Sequence, residues 1–148
     1  MPPKCIDAWH RETTSRAAGT VARRLGASGG AKAVFHFDVQ GSVAKSTHAG
    51  IPWLRFMRQR YGGRVHFWPF DGWLPAPGRS TVVEVYPSLW RHAHPANGRT
   101  GDQHDAYTVA AWLQQGDRDG RLAAALQPAL ASNERMLAPV EGWILGVG

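Results

Sequence analysis

One alternation limits what this chain can fold into more than any other feature. A β-type run, AVFHFDV at 33–39, is followed by a helix-type run at 51–61 and a second β-type run, RVHFWPF at 64–70. The outer two are rich in β-branched and aromatic side chains. The middle one places Leu54, Met57 and Tyr61 on one side and Arg55, Arg58 and Arg60 elsewhere, and it closes on Gly62 and Gly63. These are the marks of an amphipathic helix, with Pro52 suited to its first turn and glycine to its end. Strand, helix, strand in this order predicts a βαβ unit with a right-handed crossover and parallel strands. An α/β class follows.

The remaining pattern extends that plan. Spaced apolar residues over 11–25 (Ala17, Ala18, Val21, Leu25) read as a helix stopped by Gly26, Gly29 and Gly30. GSVAKSTHAG, before the 51–61 helix, reads as a small-residue loop. DGWLPAPGRS is a second loop, and STVVEVYP a third strand ended by Pro87. DQHDAYTVAAWLQQG then reads as a helix with Ala106, Val109, Ala110 and Leu113 on its apolar face, and DRDGRLAAALQPAL as a short helix broken at Pro128. The closing EGWILGVG is an apolar run expected to dock on the core.

At 148 residues the chain is expected to form a single domain, residues 1–148. No apolar run reaches the ~20 residues a membrane-spanning helix needs. The N-terminal stretch has no apolar signal region, which leads to an expectation of a cytoplasmic location. Cys5 is the one cysteine and cannot form an internal bridge. Seventeen Lys and Arg against eleven Asp and Glu give a net charge of +6, an excess that draws polyanions and makes nucleic acid the expected partner. Only Lys4, Lys32 and Lys45 are lysines, so the same bias is also what an arginine-rich proteome would leave.

The third strand raises a chemical question. Glu84 sits among Val82, Val83 and Val85, where an unpartnered charge would cost several kcal/mol, roughly the price of other buried polar groups. Asp102 and Asp105, three apart, stand about one turn from each other at a helix start. With Glu84 they make three carboxylates on a strand end and a helix head. Hard ions such as Mg²⁺ and Mn²⁺ take oxygen ligands of this kind in phosphoryl-transfer sites. Two structural alternatives stand beside that reading. Asp102 as N-cap and Asp105 at the third helical position would satisfy free N–H groups, and Glu84 would pair with an arginine.

EVYPSLW, DQHDAYTVAAWL and EGWILGVG, preceded by KAVFHFDVQGSVAKSTHAGIPWLRFM and FWPFDGW, resemble the predicted RNase-H-like nuclease family, long filed as a domain of unknown function. The resemblance runs from about Trp9 to the end. It implies an RNase H-like mixed sheet flanked by helices, with acidic residues grouped around a divalent metal. It makes Glu84, in E-x-Y-P, the strand carboxylate, and Asp102 and Asp105, in D-x-x-D-A, the helix carboxylates, together holding Mg²⁺ or Mn²⁺. The function implied is metal-dependent hydrolysis of phosphodiester bonds, with Arg55 or Arg91 neutralising phosphate. The first-strand aspartate of such sites lies upstream of everything matched, so the chain resembles a C-terminal portion of the fold. Asp38 is a candidate replacement. Without the missing strands, an uncovered sheet edge would favour self-association, and the alternative function is a nucleic-acid-binding module without catalysis.

Other signals are weaker. His92, His94 and His104 have zinc-compatible chemistry but no closed-site spacing, and read as loop residues. AKST at 44–47 lacks the glycines of a phosphate-binding loop. Trp53, Trp68, Trp73, Trp90 and Trp112, with Arg55, Arg91 and His66 near some of them, offer stacking surfaces for unpaired bases or, for most, core anchors. Asp71, followed by Gly72, reads as a turn residue.

Overall fold

The structure is a computed structural model that describes residues 44–148. The expected helix at 11–25, the expected strand at 33–39, Asp38 and Cys5 lie outside the described residues.

The first helix, α1, spans Ala44–Tyr61 and so begins seven residues before the expected start at Ile51. AKSTHAG is helical, which disposes of a phosphate-loop reading for AKST. Pro52 therefore lies in the helix interior, where it has no N–H to donate to the carbonyl four residues back. A 3₁₀ turn, Gly62–Arg64, leads into β1, Val65–Phe67, whose three residues are all buried.

β1 is shorter than the expected 64–70 strand because Asp71 folds the chain back. The Asp71 N–H donates to the Phe67 carbonyl at 2.8 Å, and the Phe67 N–H donates to Asp71 Oδ2 at 2.9 Å. Arg58 from α1 closes on the same carboxylate at 2.8 Å and lies over the Phe67 ring, 4.4 Å from its centroid. Asp71 is thus the turn residue its sequence context implies, and it ties α1 to β1.

β2, Ser80–Val82, pairs with β1 in parallel, Val65 opposite Ser80 and Phe67 opposite Val82. The strand direction continues to Glu84, which forms a parallel bridge with Ile144, the Leu145 N–H donating to the Glu84 carbonyl at 2.9 Å. The closing apolar run therefore docks as expected. Trp143, Ile144, Leu145 and Val147 are buried with Trp68 and Ala138 in one core, each large side chain contributing about 1.5–3 kcal/mol on burial.

Pro87 opens a 3₁₀ turn, Pro87–Leu89, followed by a second, Arg91–Ala93. Both pack on α2, Gly101–Arg118. Trp90, between them, stacks on Trp112 of α2 with ring centroids 4.3 Å apart. The short helix α3, Arg121–Ala125, ends before Pro128, and α4 spans Ser132–Glu141. Among the described residues no helix is long and apolar enough to cross a membrane.

The inner face of α2 differs from the sequence reading. Ala106 and Ala110 are exposed, while His104, Thr108 and Gly116 are buried, with Trp112 half-buried in the same four-residue stripe. Leu113, from the predicted face, does pack against the core with Trp112, and Val109 is half-buried, so the apolar pattern marks the inner face only in part.

Candidate functional site

The three acidic residues stand on two separate elements. Glu84 ends the extended run after β2; Asp102 and Asp105 occupy the first turns of α2. The segment 87–93 connects them and packs on α2.

Neither aspartate caps the helix. Thr100 is the N-cap, its Oγ1 accepting from the Gln103 N–H at 3.4 Å, while Gln103 Oε1 accepts from the Thr100 N–H at 3.0 Å. This reciprocal box satisfies two of the free donors at the helix head. The Thr-x-x-Gln spacing of TGDQ was the sequence signal for it. Asp102 and Asp105 are thereby left for other partners.

Asp105 has one. Arg91 donates from Nε to Oδ1 at 2.7 Å and from Nη2 to Oδ2 at 2.8 Å, the two-pronged pairing that suits a guanidinium to a carboxylate. These contacts with Asp105 push the Arg91 pKa up, and Asp102 adds to the effect through its charge. Arg91, expected to neutralise phosphate, is committed to Asp105 instead.

His104, read from sequence as a loop residue, is buried on α2, and its Nε2–H donates to the Arg91 carbonyl at 2.9 Å. Its Nδ1 has no protein partner among the described residues. Side chain and backbone of Arg91 are thus both fastened to the head of α2. His66 repeats the pattern in β1: Nε2–H donates to the Gly72 carbonyl at 2.9 Å, and the buried Nδ1 has no protein partner among the described residues.

Glu84 is the contrasting case. Its backbone carries the bridge to the C-terminal run, while its carboxylate makes no hydrogen bond or ion pair among the described residues. Among the described residues it has no arginine partner of the kind considered from sequence. Solvent reaches part of the residue, yet surrounding protein crowds it, and that desolvation alone pushes its pKa up.

As they stand, these residues do not assemble a three-carboxylate centre for Mg²⁺ or Mn²⁺. Both Asp105 oxygens are taken by Arg91, and among the described residues no group of three or more His, Cys, Asp or Glu converges as a metal site.

The tryptophans divide. Trp68 is buried, its Nε1–H donating to the Leu126 carbonyl at 3.0 Å, and it meets Trp73 edge to face. Trp90 and Trp112 form the stacked pair. Trp53 on α1 is different: it is 68% exposed, and Phe56, three residues on, is 51% exposed. Their rings meet edge to face with centroids 6.1 Å apart. Arg55 and Arg60 are exposed on the same helix and Arg64 on the turn after it, with Arg64 over the Tyr61 ring at 5.5 Å.

The charge of this region is one-sided. Between Ala44 and Phe70 stand Lys45, Arg55, Arg58, Arg60 and Arg64 and no aspartate or glutamate. Most of the chain's net positive charge therefore lies on α1 and the turn after it.

The chain matches no family model, no curated protein and no solved structure.

Proposed function

We propose that the chain is a nucleic-acid-binding domain of RNase H-like type that docks phosphates on α1. The observation that carries this reading is the exposed run from Trp53 to Arg64, which holds Arg55, Arg60 and Arg64 and lacks any carboxylate. An anion approaching this element meets attraction from Arg55, Arg60 and Arg64, while the neighbouring Asp71 carboxylate is paired with Arg58. Arg58 is not part of that surface, because Asp71 and the Phe67 ring already occupy its guanidinium. The RNase H-like component rests on the sequence resemblance and on the parallel strands flanked by helices.

Binding dominated by phosphate contacts releases counterions, so log K falls linearly with log salt, with a slope of about −0.7 to −0.9 per phosphate neutralised. Titration of labelled nucleic acid at several salt concentrations should give such a slope, reduced by about one unit in Arg55→Ala or Arg60→Ala. Affinity independent of salt would count against the proposal.

A second reading, metal-dependent nuclease, is favoured by Glu84, a crowded carboxylate with no cation paired to it among the described residues. In that reading Glu84 and Asp102 are the free carboxylates, and Asp105 joins them only on leaving Arg91. It predicts hydrolysis of nucleic acid that requires Mg²⁺ or Mn²⁺ and vanishes in Glu84→Gln. Absence of turnover alongside salt-dependent binding leaves the binding domain as the function.

A further inference from the structure

Resting on the nucleic-acid reading above, we infer that Trp53 and Phe56 form a stacking platform for unpaired bases, so that the preferred ligand is single-stranded.

Trp53, Phe56 and Arg60 are spaced by three and four residues, which places them along one face of α1. The two aromatic residues are among the most exposed large hydrophobic residues described, although the rest of the fold buries Trp68 and Trp143 almost completely. The edge-to-face geometry, 81° between ring planes, leaves ring faces turned to solvent. Arg60 shares the face of the pair, and Tyr61 with Arg64 over it continues the mixture of ring and guanidinium to the end of the helix.

This combination discriminates between forms of nucleic acid. A duplex keeps its base faces stacked on one another and offers a protein surface mainly phosphates and groove edges. A single strand can turn a base onto an aromatic face while its backbone follows neighbouring cations, the arrangement by which single-strand binders work without reading sequence. Arginines alone would serve either form; the exposed rings are useful only to the second. An apolar protein partner would be poorly served by the charge of Arg60 on the same face as these rings.

The test uses the full chain and fluorescence anisotropy with one mixed-sequence oligonucleotide, single-stranded and as its duplex. The single strand should bind about tenfold or more tightly than the duplex, and Trp53→Ala should lose that advantage. Trp53→Phe, which keeps a ring, should retain most of it, and circular dichroism of both variants should match the parent. Equal or tighter binding of duplex, or a single-strand affinity unmoved by Trp53→Ala, overturns the inference while the binding function stands. Binding of neither form removes both. Sedimentation showing a dimer that Trp53→Ala dissociates would assign the face to a second copy of the chain and overturn it as well.

Discussion

Arg91 holds Asp105 through two hydrogen bonds, 2.7 and 2.8 Å long, one to each carboxylate oxygen. The fourteen-residue separation means that this pair fastens the turns after β2 to the head of α2, with His104 securing the Arg91 carbonyl from the same helix. It also decides what Asp105 can do, because a carboxylate with both oxygens engaged by a guanidinium offers little to a cation.

Releasing that carboxylate should therefore be visible in metal binding. Under the nuclease reading, Arg91→Met should bind Mn²⁺ severalfold more tightly than the parent by calorimetric titration, and Arg91→Met combined with Asp105→Asn should lose the gain. Equal affinity in all three proteins would show that Asp105 is not a potential ligand.

Glu84 and Asp71 should give opposite pH dependences. Crowding raises the Glu84 pKa above its ordinary 4.5, so its contribution is fully present below that value and is lost as pH rises through the raised folded value. Glu84→Gln, neutral throughout, should be more stable than the parent at neutral pH, and the difference should shrink in acid. Burial alone would raise the Asp71 pKa, but the Phe67 N–H and Arg58 outweigh it and hold it below 3.8. Its contribution is present above 3.8 and is lost as pH falls through the lower folded value, so Asp71→Asn should cost stability at neutral pH and little in strong acid. Urea midpoints across this range check both signs.

Gly146 should not tolerate a side chain. Its φ is +85°, and an added Cβ would stand 2.9 Å from Cζ2 of Trp90, whose ring is held by the stack on Trp112. Gly146→Ala should cost about 1–3 kcal/mol, the usual penalty of overpacking, measured by urea unfolding.

Leu145 tests the docking of the closing run. It is almost fully buried, and Leu145→Ala should cost about 2–5 kcal/mol in the same assay. A loss below 1 kcal/mol, roughly that of a surface change, would mean the segment is not part of the core.

What the sequence disclosed follows from the range of each signal. α2 was legible because its period persists over many residues, and the docking of residues 143–147 because an apolar run must be buried somewhere. The inner face of α2 was legible only in part, at Leu113, since His104, Thr108 and Gly116 carry no hydrophobic signal and their burial depends on turns from elsewhere. The early start of α1 was hidden because small and polar residues such as Ser46, Thr47 and Gly50 read as loop, and helix α4 because Pro139 lies within it. At the site, the acidic residues and their places on strand end and helix head were legible. The Arg91–Asp105 pairing was not, because a contact across two 3₁₀ turns leaves no periodic trace.

The bridge between Glu84 and Ile144 joins positions about sixty residues apart, and it carries a consequence for the order of assembly. Local helices can form early, whereas this long-range closure has to overcome the entropy of the intervening chain before it is rewarded. The backbone amides of Leu145 and Val147 should accordingly gain protection late in refolding, and pulsed hydrogen exchange would time the moment the core shuts.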